Sequence, residues 1–178
     1  MPLLFASLLM AVSLAGADLD ERYSMVLGAE TRSSKVLLGE GPDALYGLQL
    51  TPRDGRICQA RAFFRGASPR TARYCEGRVT GRVVARSGVA VLGLGERVQG
   101  IGVCLTRDDR VAAVRFYTAA GASVTAQVEA CDSEFRQIMC QTGWGVQGLQ
   151  LYFGRSSWLR PQPALVGVRA LCAARNSG

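Results

Sequence analysis

The chain has 178 residues, with 21 basic and 14 acidic side chains, a net charge of +7 and no histidine. The absence of histidine excludes Ser-His-Asp and Cys-His catalytic sites, and every zinc or haem site that uses a histidine ligand. The length fits one domain that is large enough to bury a core of its own. Binding proteins and histidine-free enzymes are therefore the classes that stay open.

The first 17 residues have the pattern of a secretory signal peptide. They carry no charged side chain, and their apolar stretch ends in the small residues Ala15, Gly16 and Ala17. Small residues at this point are typical of a signal peptidase cleavage site, and the apolar stretch is shorter than a membrane-spanning helix requires. We predict a signal peptide over 1–17 and one secreted domain over 18–178, with no transmembrane anchor.

Glycine recurs through the remaining sequence and separates short runs of valine, leucine, isoleucine and aromatic residues. Val124, Ala126 and Val128 alternate with Thr125 and Gln127, which is the period of a strand with one buried and one wet face. This pattern predicts an all-β fold.

Three stretches have the pattern of a β-hairpin, in which two apolar strands flank a turn or loop. The predicted strand pairs are 45–50 with 57–63, 98–103 with 111–117, and 146–151 with 165–171. The return strands share one template, and its arginine falls at Arg61, Arg115 and Arg169, 54 residues apart in both intervals. The chain therefore contains an internal repeat.

A small sheet on its own leaves one apolar face in water, whereas three sheets around a common axis bury those faces against each other. We therefore expect a three-sided β-prism with pseudo-three-fold symmetry. The predicted repeats cover about 18–66, 67–122 and 123–178.

The third repeat resembles the vitelline membrane outer layer protein I family of secreted β-prism proteins. Cys140–Gly143 followed by Gly148–Leu151 is similar to that family's strand entry, and Ala164–Cys172 is similar to its A-L-N-G-[IV]-R-x-x-C ending. The resemblance implies an egg-coat-like role. More distantly, Gly95–Ile101 and Val114–Thr118 resemble a strand pair of the jacalin-like secretory lectins, although the C-terminal G-x-x-x-D sugar loop of those lectins is missing.

An even number of cysteines in a secreted protein favours disulfides, and no two of the six are spaced as a zinc-binding pair. The family resemblance pairs Cys140 with Cys172, and these two cysteines also stand on either side of the third predicted hairpin. The other four cysteines have three possible pairings, of which we choose Cys58–Cys75 with Cys104–Cys131. We expect no metal and no other cofactor.

The basic side chains are almost all arginine, which makes planar bidentate contacts with carboxylates, sulfates and phosphates. Because Arg61, Arg115 and Arg169 alternate with apolar neighbours, we expect them to face away from the core and name them as candidate glycan-binding residues. An ordinary wet strand face with cross-strand glutamate partners is the alternative. Trp144 and Trp158 are further candidates, since their rings can stack on sugars or merely cover the core.

These observations predict a secreted, non-enzymatic binding or structural protein of an extracellular coat or secretion. Its expected partners are acidic glycans or glycoproteins and not nucleic acid. A jacalin-like lectin with a defined sugar pocket and a carbohydrate-active enzyme are the alternatives. A glycosidase needs two carboxylates across a cleft, whereas Asp108 and Asp109 are explained as turn residues.

Overall fold

The computed structural model describes residues 24–41, 44–75, 88–155 and 163–175. Within these ranges the chain forms twelve β-strands. They are β1 Leu27–Gly28, β2 Ser33–Leu38, β3 Leu45–Arg53, β4 Arg56–Phe64, β5 Ala67–Arg73, β6 Gly88–Val91, β7 Val98–Leu105, β8 Val111–Thr118, β9 Ser123–Gln127, β10 Arg136–Met139, β11 Trp144–Gly154 and β12 Ala164–Ala174. The predicted all-β class is confirmed. The predicted signal peptide lies outside the described residues, and among those described no helix is long and apolar enough to cross a membrane.

The strands form three antiparallel four-stranded sheets, each with one predicted hairpin at its centre. Sheet I has the order β5-β4-β3-β6, sheet II the order β10-β7-β8-β9, and sheet III the order β1-β12-β11-β2. The central hairpins are β3–β4, β7–β8 and β11–β12. The three sheets form a three-sided β-prism, as the repeat predicted.

Sheet III takes its outer strands from the opposite end of the chain. β1 pairs with β12 and β2 pairs with β11, so the N-terminal segment closes a sheet whose centre is C-terminal. The sheets accordingly group the chain as 45–91, 98–139, and 144–174 with 27–38. The expected repeat boundaries, after residues 66 and 122, fall at other points of the chain. The difference arises because each outer strand belongs to the sheet with which it pairs, whatever its place in the sequence.

The core lies where the inner faces of the three sheets meet. On each central return strand, two fully buried residues flank the repeat arginine, which therefore points outward. These inner residues are Ala60 and Ala62 on β4, Val114 and Phe116 on β8, and Val168 and Ala170 on β12. Burial of one large aliphatic or aromatic side chain contributes about 1.5–3 kcal/mol, so the shared core supplies the main stabilisation.

A β-bulge recurs at the same place in each central hairpin, and a glycine follows it each time. The register shifts end at Gly47, Gly100 and Gly148. A Cβ on Gly148 would lie 2.3 Å from the carbonyl oxygen of Leu37, and a Cβ on Gly100 would lie 2.5 Å from that of Ile138. Glycine at these positions thus lets the outer strands β2 and β10 approach the hairpins.

Three disulfides fasten the described strands: one within sheet I, one within sheet II, and one from the residue after β10 of sheet II to β12 of sheet III. The pairs are Cys58–Cys75, Cys104–Cys131 and Cys140–Cys172, which are the pairs chosen from the sequence. Cys140 and Cys172 are 32 residues apart, and closing a loop of that size stabilises a domain by about 3.5 kcal/mol in the chain-entropy model.

We expect Gly148→Ala to lower the free energy of unfolding by about 2–3 kcal/mol, because the new methyl group meets a backbone oxygen of β2 that cannot move alone. Gly47→Ala is the matched control at the same bulge of sheet I, where the nearest atoms are 3.1–3.3 Å away. Its expected cost is below about 1 kcal/mol. Chemical denaturation measures both values, and equal losses would contradict the steric account.

Candidate functional site

The three repeat arginines occupy equivalent positions on three different faces of the prism. Arg61 lies opposite Gln49 in β3, Arg115 opposite Gly102 in β7, and Arg169 opposite Gln150 in β11. Each side chain is on the outward face of its own sheet. The structure therefore does not bring these three predicted residues together in one site.

Their surroundings also differ. The Arg169 Nη2 lies 3.2 Å from the Glu30 carboxylate, so this arginine has the acidic partner that the alternative interpretation expected. The Arg115 Nε donates to the Thr125 hydroxyl at 2.9 Å, and its guanidinium sits 3.9 Å from the centre of the Phe135 ring. Two of the three arginines are thus held by their own sheet.

Arg61 is the exposed member of this set. Its guanidinium lies 5.5 Å from the Phe63 ring centre, and it makes no hydrogen bond or ion pair with any described residue. Its charge is therefore available to a ligand.

The structure does not show the two tryptophans together as a surface on which a sugar ring could stack. Trp144 begins β11, is partly buried and packs against the core cluster, which fits the alternative that it covers the core. Trp158 lies outside the described residues.

A basic cleft opens between sheets I and III, at the end of the prism where β2 begins and β3 turns into β4. Its volume is about 900 Å³, which is within the range of ligand-binding sites. Within the described part of the chain, its lining includes five cationic side chains and one carboxylate: Arg32, Lys35, Arg53, Arg56, Arg73 and Asp54. We call this feature the basic cleft. Its hydroxyl groups come from Ser33, Ser34 and Tyr74.

A tight turn places two of these cations directly opposite each other. Arg53 and Arg56 are paired across the two-residue turn Asp54-Gly55, whose φ angles of 50° and 67° are both positive. This is the geometry of a type I′ hairpin turn, which favours Asp or Asn followed by Gly. Like charges opposite each other are unfavourable. The Asp54 carboxylate offsets the repulsion, since it lies 3.8 Å from Arg53 Nε and 3.7 Å from Arg56 Nη2.

The wall opposite β2 is fixed covalently and by ring stacking. The disulfide from Cys75 to Cys58 ties the residues after β5 to β4, and the Tyr74 amide donates to the Cys58 carbonyl at 3.0 Å. The Tyr74 ring stacks on the buried Phe153 ring with centres 4.6 Å apart. Arg73 and Tyr74 therefore reach the cleft from a rigid segment.

A buried arginine holds the turn from the other side. Arg110 is 7% exposed; its Nη1 donates to the Gly55 carbonyl, and its Nη2 lies 3.3 Å from the Glu129 carboxylate. Because Arg110 follows the β7–β8 turn, this contact joins sheets I and II at the end of the prism that carries the basic cleft. Sequence reasoning did not single it out, since one arginine in a turn gives no signal of burial.

The sequence did contain a signal for the basic cleft. Residues 53–86 hold nine arginines and only two acids, Asp54 and Glu76. The arginines are spaced irregularly, so they do not form a basic run. Only the pairing of β3, β4 and β5 gathers six of them on one sheet, and only the packing of sheet I on sheet III adds Arg32 and Lys35.

Two of the described carboxylates, Asp108 and Asp132, have local hydrogen-bond or ion-pair partners. No group of three or more histidine, cysteine, aspartate or glutamate side chains among the described residues could hold a metal ion. Asp132 accepts a hydrogen bond from the Arg107 amide at 3.0 Å, and Asp108 lies 3.8 Å from Arg110 Nη2. These acids are engaged in turn structure.

The structure resembles solved β-prism lectins at low sequence identity. It matches the prostate-specific WGA16 glycoprotein lectin with a TM-score of 0.56, 14% identity, and 86% of this chain against 99% of that one. A Malaysian banana lectin matches with a TM-score of 0.53, 14% identity, and coverage of 86% and 98%. The Calsepa lectin in complex with a biantennary N-glycan matches with a TM-score of 0.57, 11% identity, and coverage of 86% and 96%.

These neighbours are jacalin-like β-prism proteins, and they establish the fold. No protein-family model and no curated protein matches the sequence. The resemblance to the vitelline membrane outer layer protein I family stays a prediction.

We expect Arg110→Ala to lower the free energy of unfolding by about 2–4 kcal/mol, because it leaves the Glu129 carboxylate and the Gly55 carbonyl without their buried donor. Arg107→Ala in the same turn is the matched control. Its side chain is 89% exposed, and an exposed ion pair contributes less than about 1 kcal/mol. Urea denaturation compares the two variants, and similar losses would argue against the clamp.

Proposed function

We propose that this protein is a secreted, non-enzymatic glycan-binding protein that takes acidic glycans or glycoproteins in the basic cleft. The observation that carries the proposal is that, among the described residues lining a cleft of about 900 Å³, five are cations and one is a carboxylate. Such a charge balance selects a ligand with more than one negative group.

The side chains of the basic cleft suit sulfate and carboxylate groups on a sugar. Arginine presents a planar fork of donors to both anions, while lysine acts as a point charge. Ser33 and Ser34 add hydroxyl groups, which both donate and accept hydrogen bonds. The combination of cations and hydroxyl groups can recognise an anionic group together with neighbouring sugar hydroxyls.

The structural neighbours support the carbohydrate part of the proposal. The proteins of similar fold are named lectins, and one of them is solved with a biantennary N-glycan.

The extracellular part of the proposal rests on the disulfides and the N-terminal segment. Three disulfides join all six cysteines, and such bonds persist in oxidising compartments. With the signal-peptide pattern of residues 1–17, this supports a place in an extracellular coat or secretion.

A jacalin-like lectin with a pocket for one neutral sugar is the second candidate, and the fold of the neighbours favours it. The two candidates differ in their response to salt. Ion pairs with an acidic glycan weaken as the Debye length falls from about 8 Å at 0.15 M salt to about 3 Å at 1 M, whereas hydrogen bonds to a neutral sugar respond little.

The first test is binding of the purified, disulfide-bonded protein to neutral, sialylated and sulfated glycans at low and high salt. We expect binding to acidic glycans that fades at high salt. Salt-resistant binding to one neutral sugar would establish the second candidate instead, and turnover of any glycan would contradict a non-enzymatic role.

Removal of two cations from the rim of the basic cleft tests the site itself. We expect the double variant Arg32→Gln, Lys35→Gln to bind a sulfated glycan about tenfold more weakly, a change of about 1.4 kcal/mol. Both side chains are exposed and have no ion pair among the described residues, so stability should not change. The control, Arg107→Gln with Arg136→Gln on sheet II, alters the net charge equally and should bind normally.

Removal of Asp54, the one carboxylate among the described lining residues of the basic cleft, should have the opposite effect. We expect Asp54→Asn to raise the affinity for sulfated glycans about threefold, because Arg53 and Arg56 lose a competing anion. Asparagine tolerates the positive φ of this turn position. Asp109→Asn is the control, because Asp109 has a φ of 56° and lies in the other turn. Equal gains in both variants would indicate a general charge effect.

A further inference from the structure

The outward face of sheet I continues the positive charge of the basic cleft. From β3 to β5, residues 45–73 contain six arginines and one acid, Asp54. The outward side chains of β4 include Gln59, Arg61 and Phe63, and none of the described side chains on this outward face is acidic.

Arg73 connects the basic cleft to this face. It lines the cleft, and its Nε and Nη2 donate to the Gln59 side-chain oxygen at 3.2 and 3.1 Å. Gln59 and Arg61 are two residues apart on β4 and share one face, with a rise of about 7 Å between them. The next cation along β4 therefore lies directly beyond the edge of the cleft.

Arg65 extends the row to the far end of β4. Its guanidinium lies 5.3 Å from the Tyr46 ring centre, and its Nη2 donates to the carbonyls of Gly93 and Glu96 at 3.3 and 2.7 Å. Both acceptors are backbone carbonyls, which orient the guanidinium, and the nearby Glu96 carboxylate accepts a hydrogen bond from the Gly93 amide at 2.8 Å. We call Arg73, Arg61 and Arg65, in that order, the arginine row.

Two aromatic rings preorganise this row. Phe63 lies under Arg61 and Tyr46 under Arg65, and stacking on a ring limits the freedom of a guanidinium while its donors stay open. The equivalent positions of the other faces are not available in this way. Arg169 is paired with Glu30, and Arg115 is bonded to Thr125.

We infer that the ligand of the basic cleft is an extended polyanionic polysaccharide, which runs from the cleft along the arginine row on sheet I. This inference rests on the proposed function and deepens it. Arg73 lies opposite Gln59, and Arg65 is six residues further along the chain, so the row is about 20 Å long. A single acidic sugar reaches the cleft alone, whereas a chain with regularly spaced sulfate or carboxylate groups reaches both.

A polysaccharide fits this surface better than a nucleic acid. Single-stranded nucleic acids gain affinity by stacking their bases on exposed aromatic side chains. Here an arginine lies over each of the half-buried Phe63 and Tyr46 rings, so a base would have to displace a guanidinium in order to stack on either ring. The row therefore favours ligands that bind through charge and hydrogen bonds.

The test measures affinity against chain length, with size-defined heparin fragments from the disaccharide upward as the probe. We expect the affinity of the intact protein to rise with length until the fragment spans the row. Arg61→Glu should weaken long fragments about tenfold and the disaccharide less than twofold. Arg136→Glu, an exposed charge reversal on sheet II, is the matched control and should change neither.

Each other outcome has a defined meaning. If no acidic fragment of any length binds, the proposed function itself fails. If the disaccharide binds as tightly as long fragments, or if Arg61→Glu weakens both equally, the cleft acts alone and the extended ligand is refuted. A DNA oligonucleotide of matched charge that binds as tightly as heparin, with the same loss in Arg61→Glu, would overturn the polysaccharide assignment. The milder Arg61→Gln repeats the test if the reversal impairs folding.

Discussion

The structure depends on the need of three small sheets to bury their apolar faces. Each sheet has four strands, and its inner face is lined by residues such as Ala62, Phe116 and Val168 that are fully buried only where the other two sheets meet it. An isolated sheet of this size would expose that face to water. The three modules are therefore one cooperative unit, and every outward side chain is positioned by the shared core behind it.

This constraint explains why the ends of the prism are fastened so firmly. The N-terminal strands complete sheet III, disulfides close sheets I and II and link sheet II to sheet III, and Arg110 joins the turns of sheets I and II. The basic cleft lies beside these strand pairings, disulfides and hydrogen bonds. The cations of the basic cleft lie close together and repel each other. The Asp54 carboxylate offsets part of this repulsion, and the rigid Tyr74 segment keeps one wall of the cleft in place.

The pseudo-three-fold symmetry is a property of the core and not of the outer faces. The repeat arginine is retained on all three sheets, yet its contacts are a glutamate at Arg169, a threonine and a ring at Arg115, and at Arg61 a ring with no polar partner among the described residues. Packing constrains the inner residues alike in each repeat. The outward residues are free to differ, so one face can specialise in binding while the others become ordinary wet surfaces.

The sequence by itself determined the all-β class, the three hairpins, the outward direction of the repeat arginines and the prism. These features follow from local patterns, since period-two alternation, turn residues and the spacing of Arg61, Arg115 and Arg169 are all visible along the chain. The resemblance at Cys140 and Cys172 added a disulfide. Only the tertiary structure decided which partners surround each of these arginines and that Arg32 and Lys35 join Arg53, Arg56 and Arg73 in one cleft. Such a site is built from segments far apart in sequence, and its charge balance depends on which sheets pack together, which no local pattern records.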